Sequence, residues 1–235
     1  MPRRPLLRIV SALTFSPTPT RSARLSDVHL NIPPPAKGKE YLVQGSYDYY
    51  HYNQDSFNDD GWGCAYRSLQ TIQSWYQKAN LTTQPIQNHL EIQKFLYALG
   101  QKPKNFVGSK EWIGSIEIQT ILRGYMGIVS KIEHVQKGNQ MADHVSVLID
   151  HFERQGTPIM IGGGQLAYTL LGVHVNQDTG RVMYLILDPH YVGKEDLQVI
   201  HKKGWCGWKD GSLFKDKYFY NLCLPQAHNP SASGV

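Results

Sequence analysis

The sequence predicts an α+β fold, with helices early and a mostly antiparallel sheet late. Three observations carry this expectation. Apolar residues recur at helical spacing through the first two thirds of the chain, as at Ala65, Leu69, Ile72 and Tyr76. From Thr157 onward the pattern changes to short apolar runs bounded by glycines and turn residues, which read as strands. The two kinds of segment are grouped rather than alternating, which argues against a doubly wound parallel sheet. The 235 residues suit one domain of ordinary size, and no internal repeat is present.

Each element follows from local chemistry. Seven of the 13 prolines fall in the first 35 residues, together with five arginines and no acid before Asp27. Residues 1–40 therefore read as a flexible basic tail rich in Pro, Arg and Ser, with an organelle transit peptide as the alternative. A folded domain is expected over 41–228 and a flexible C-terminus over 229–235. A helix opens at Cys64 and runs to about Ala79. A second is predicted from Pro85, a favourable first-turn residue, to Leu99, where Gly100 ends it. Ser115–Tyr125 forms a third helix and Ile128–Val135 a strand. Val145, Leu148, Ile149 and Phe152 mark the face of a further helix, closed by Gly156. Pro158–Ile161, which runs into Gly162-Gly163-Gly164, Tyr168–Val175, Val182–Leu187 and Tyr218–Leu222 are the strand candidates, the middle two joined by a turn at Asn176–Gly180.

Composition excludes several classes. The net charge of +5 resides in residues 1–45, which hold seven basic and two acidic side chains; the remainder holds 17 of each. The folded part thus offers phosphates no basic footprint, and no nucleic-acid partner is expected. No run reaches the length needed to span a bilayer. The three cysteines, Cys64, Cys206 and Cys223, are too few and too scattered for a disulfide scaffold and fit a reducing, cytoplasmic setting. No zinc spacing is present, so neither a metal nor another cofactor is expected.

Cys64 follows Gly61-Trp62-Gly63 and opens a helix, where unpaired N–H groups and the helix dipole favour negative charge on a side chain. A buried cysteine that merely fills space is the alternative. What favours chemistry is a base. Asp188-Pro189-His190 ends the strand over Val182–Leu187, and residues i and i+2 of a strand share a face about 6.5–7 Å apart. Asp188 can then orient the His190 imidazole and leave its other nitrogen for a thiol. By itself that tripeptide also reads as a polar turn. Cys206 also follows Gly-Trp, but Gly207–Gly211 reads as a turn with no helix behind it. His174 has no acid beside it, and His51 and His201 carry no supporting pattern. An early cysteine with a histidine 126 residues later on a strand is the general layout of papain-like proteases.

From about Gln44 to Gln226 the chain resembles the cysteine proteases specific for ubiquitin-fold modifier 1. The resemblance rests on four separated motifs: Asp59-Asp60-Gly61-Trp62-Gly63-Cys64-Ala65-Tyr66-Arg67-Ser68-Leu69-Gln70, Phe106–Gly114, Gly162–Val173 and Leu187–Tyr191. It implies a papain-like fold with Cys64 as nucleophile, His190 as general base and acid, and Asp188 as its orienting partner. It also implies that the Tyr52 hydroxyl helps form an oxyanion hole; from the residues alone, Tyr52 reads equally as a packed aromatic. Gly61, Trp62 and Gly63 are expected to wall a narrow channel for a glycine tail, although such residues also build plain turns. The implied partner is ubiquitin-fold modifier 1, as precursor or lysine conjugate, and a monomer is expected. With only a tail before the catalytic region, the chain is similar to the family's short form. The rival readings are a protease of the autophagy-modifier type, which shares related Gly-Trp-Gly-Cys and Asp-Pro-His arrangements, and a modifier-binding module without catalysis.

Overall fold

A computed structural model describes residues 23–35 and 37–227. The transit-peptide alternative and the C-terminal segment 229–235 lie outside the described residues. In chain order the elements are β1 (Lys39–Leu42), α1 (Cys64–Lys78), α2 (His89–Ala98), α3 (Ser115–Met126), β2 (Ser130–Val135), α4 (Val145–Arg154), β3 (Ile159–Gly163), β4 (Leu166–Val175), β5 (Val182–Leu187), α5 (Leu197–Lys202), β6 (Cys206–Asp210) and β7 (Tyr220–Pro225). All strand pairs are antiparallel and form one sheet in the order β2-β7-β3-β4-β5-β6. β1 pairs with β4 over Gly172–Val175, beyond the stretch of β4 that β3 occupies. The expectation of early helices and a late antiparallel sheet is met.

The central element is α1, which packs on β3 and β4. Its apolar stripe was legible, but every residue from Cys64 to Tyr76 is buried, including the polar ones. Burial of a polar face requires partners. Ser68 shares a hydrogen bond with Thr169 of β4 at 2.7 Å, and the Gln70 amide donates to the Gln87 carbonyl at 2.8 Å. Arg67 is answered by Asp59, at 2.5 Å. The segment before α2 covers this face, which is why α2 begins at His89 and not at Pro85. Gln87 is held by Gln70 and Gln73, and Asn88 and Glu91 form a reciprocal capping box that starts the helix there.

Three further expectations are corrected. Residues 207–211, read as a turn, lie largely in β6, where Gly207, Trp208 and Lys209 pair with β5. The last strand starts at Tyr220 rather than Tyr218, and β1 and α5 were not predicted. Part of the expected tail is docked. Val28 is 1% exposed, Asp27 accepts the Tyr47 N–H at 2.9 Å, and Arg24 lies over the Tyr50 ring and pairs with Asp55. Among the described residues, no helix is long and apolar enough to cross a membrane.

Candidate active site

The turn before α1 presents Cys64. The Asp59 carbonyl accepts the N–H groups of Trp62 (3.2 Å) and Gly63 (2.8 Å), and the Gly63 carbonyl accepts the first helical bond from Arg67 at 3.0 Å. Gly61 takes φ +80°, in the left-handed region where glycine carries no penalty. Gly63 is needed for space: a Cβ there would lie 2.4 Å from Asp59 Oδ2. Cys64 is thus the first residue of the helix, and its N–H has no intrahelical acceptor.

Asp188 and His190 meet, though not by the strand geometry expected. β5 ends at Leu187, and the two residues lie in a turn. Asp188 Oδ1 accepts both the His190 backbone N–H (2.9 Å) and Nδ1–H (2.5 Å), so the carboxylate builds the turn and orients the ring together. The Asp188 N–H donates to the Trp205 carbonyl at 2.7 Å, tying the turn to the residue just before β6. His190 Nε2 is left to face Cys64. Burial lowers the imidazole pKa, but hydrogen bonds to Asp188 and Cys64, with their charges, outweigh it and raise the group to about 9. The ring is thereby held toward its protonated form beside the sulfur.

Tyr52 belongs to the same site. Its N–H donates to the Pro189 carbonyl at 2.9 Å, and the Tyr49 hydroxyl donates to the Asp188 carbonyl. The Tyr52 ring meets His190 edge-on, with centroids 5.3 Å apart. Burial first, then the charge and hydrogen bond of Cys64, push the Tyr52 hydroxyl far above the ordinary tyrosine range. It therefore stays protonated and can donate. Its neighbour His51, which carried no sequence pattern, donates Nδ1–H to the Tyr52 carbonyl at 3.0 Å and is held by Glu195 at 3.0 Å.

A groove of about 330 Å³ beside Cys64 is lined by Trp62, Trp112, Ile116, Gly162–Gly164, Leu166 and Phe219. Trp62 lines it. Gly61 and Gly63 are not among its lining residues; they shape the turn that carries Trp62 and Cys64. Gly164 and Gln165, which also line the groove, both take positive φ in the two-residue turn between β3 and β4.

Sequence reasoning missed three contributors. Tyr168 of β4 also packs on His190, with ring centroids 5.6 Å apart. Trp112 stood in a quoted motif with no role attached. Asp59, Arg67 and His89 form a buried network under the cysteine turn, with His89 Nε2 3.0 Å from Asp59 Oδ2. Asp59 and Arg67 sit eight residues apart in the first motif, and that pairing of opposite charges was the available signal. Cys206 and Cys223 are buried in the sheet, and burial raises both thiols, Cys223 to about 12. His174 is buried beside Trp208, and His201 donates to the Val28 carbonyl at 2.6 Å; neither joins the site. Among the described residues, no cluster of His, Cys, Asp and Glu could hold a metal ion.

The sequence profile of peptidase family C78 matches residues 38–223. The chain belongs to this family. It is 50% identical to a Homo sapiens protein named Ufm1-specific protease 2 over 228 residues, 96% of this chain and 49% of that protein. The Danio rerio protein of the same name is 49% identical over 95% of this chain and 56% of its own length. The Drosophila melanogaster protein named probable Ufm1-specific protease 2 is 52% identical over 86% of this chain and 34% of its own length. The chain therefore spans about half the length of the curated relatives it matches, or less. A crystal structure titled UfSP from C. elegans superposes with a TM-score of 0.79 at 42% identity, covering 86% of this chain and 37% of that one. The fold of this C78 member is thus the papain-like α+β arrangement that the motifs implied.

Proposed function

We propose that the chain is a thiol protease that cleaves after the C-terminal glycine of ubiquitin-fold modifier 1, maturing its precursor, releasing it from lysine, or both. The observation that carries this reading is the convergence of Cys64, His190–Asp188 and Tyr52, with Cys64 lining a groove that Gly162–Gly164 also line. The names of the relatives point to the same modifier. In this mechanism the Cys64 sulfur attacks the glycine carbonyl. The oxyanion is held by the Tyr52 hydroxyl and the unpaired Cys64 N–H. His190 gives its proton to the leaving amine and then takes one from the water that frees the acyl-enzyme. Gly162 and Gly163 line the groove with backbone alone, since a Cβ on Gly163 would lie 2.4 Å from the Phe219 carbonyl oxygen and one on Gly162 2.9 Å from Met160 Cε, and Trp62 and Trp112 line it as well. A cytoplasmic site of action belongs to the same proposal, supported by three free thiols.

A modifier ending in a thiol-reactive glycine probe tests it. Labelling of wild type that is lost in Cys64→Ala is expected; failure to label wild type would leave a binding module. Offering modifier 1 and autophagy-modifier precursors side by side separates the remaining rival, since preference for the latter would overturn the substrate assignment.

A further inference from the structure

The Asp59 carboxylate touches both halves of the site without touching the groove. It is fully buried. Its Oδ1 accepts the N–H of Asn53, the peptide that follows Tyr52, at 2.8 Å. Its Oδ2 accepts from Arg67 Nε at 2.5 Å, one turn into the helix that Cys64 opens, and lies 3.0 Å from His89 Nε2. Arg67 in turn donates to the Gln54 carbonyl at 3.2 Å, on the loop that carries Tyr52. That loop needs holding, because Asn53 and Asp55 both take left-handed φ, at +60° and +58°. Non-glycine residues in that region persist only where the surroundings impose them. Gly63, against which Asp59 packs, completes a rigid link between the Tyr52 loop and the Cys64 turn.

We propose that Asp59 is a positioning residue that sets the Tyr52 hydroxyl relative to the Cys64 sulfur. This rests on the reading of Cys64 as nucleophile and Tyr52 as oxyanion donor. An oxyanion donor acts only where it meets the charge that develops in the transition state, so a small displacement of the Tyr52 loop removes its benefit. Asp59 then governs kcat through Tyr52, while substrate binding and the His190–Cys64 pair are left in place.

The test is turnover of a fluorogenic C-terminal amide of modifier 1 by the full chain carrying Asp59→Ala, Tyr52→Phe, or both. Because Asp59→Ala strands the buried Arg67, the apolar pair Asp59→Leu/Arg67→Met serves as a second variant that removes the same tethers and keeps the volume filled. The expected result is a fall in kcat of about 10²–10³ for the Asp59 variant, the scale of one lost oxyanion donor. KM should stay within about threefold, and adding Tyr52→Phe should cost nothing further. Iodoacetamide should alkylate Cys64 at the wild-type rate within about threefold, since the variants keep His190 and the Asp59 backbone carbonyl that accepts the Trp62 and Gly63 N–H groups of the cysteine turn. Wild-type kcat in a folded Asp59 variant would overturn the proposal while leaving the reading of Tyr52 intact. Losses that multiply with Tyr52→Phe, or a matching loss of alkylation, would make Asp59 a general structural residue and equally overturn it. If Tyr52→Phe alone keeps full kcat, the oxyanion assignment itself fails and the proposal falls with it.

Discussion

His190 is bounded by a carboxylate, two tyrosine rings and the Cys64 sulfur. Asp188 fixes its tautomer and, with Cys64, raises its pKa; the Tyr52 and Tyr168 rings both meet it edge-on. With a folded-state value of about 9 against an ordinary 6.5, the alkaline limb of kcat/KM should fall near pH 9. Asp188→Asn should move that limb downward, as a pH–rate profile would show. Stability follows the same linkage. A raised imidazole pKa stabilises the fold fully below pH 6.5 and loses that contribution as pH climbs through about 9. The melting temperature should therefore decline across that window, and decline less in His190→Gln. For the two residues at the sulfur, Cys64→Ala should abolish turnover, whereas Tyr52→Phe should keep a residue of it, reduced by about 10²–10³. Equal residual cleavage by the two variants would refute these roles.

The cysteine turn is where an element's shape decides chemistry. Gly61 and Gly63 look alike in the sequence but meet different constraints. Gly61 has open space and needs only a positive φ, so Gly61→Ala should cost about 1–2 kcal/mol in urea unfolding and leave the Cys64 geometry in place. Gly63→Ala drives a Cβ into the Asp59 carboxylate and must displace either the carboxylate or Cys64. It should lose most activity in the same assay, and retention of wild-type turnover would show that the turn relaxes freely. Helix α1 makes the complementary point. Its apolar period was legible, but a central helix buried on all sides is distinguished from a surface helix only by what covers its polar face. Gln87, Thr169 and Asp59 supply those partners from 17, 101 and eight residues away.

At the scale of the molecule, the folded unit begins earlier than composition suggested. Residues 24–29 carry an arginine, an aspartate and a histidine, which read as tail, yet each finds a partner on the Tyr47–Asp55 segment that leads into the site. A chain started at residue 37 loses these contacts. The buried Val28 alone contributes roughly 1.5–3 kcal/mol, so its urea midpoint should drop measurably. Turnover should drop with it, because the Tyr47–Tyr52 segment is stapled to Asp188 and Pro189. An unchanged midpoint would show the docked segment to be dispensable.

The sequence by itself determined the nucleophile candidate, its base and the orienting acid, together with the grouping of helices early and strands late. These are local matters: a helix start is written in a few residues, Asp188 and His190 are two apart, and hydrophobic period is read in short windows. Only the tertiary structure decided that Asp188 acts through a turn rather than a strand. It alone showed that Cys206 lies in a strand, that Tyr168 and Trp112 join the site, and that Asp59 links Tyr52 to Cys64. Those outcomes depend on which distant segments share a buried space, and the cost of leaving a polar group there unpaired is set by the neighbours that folding supplies.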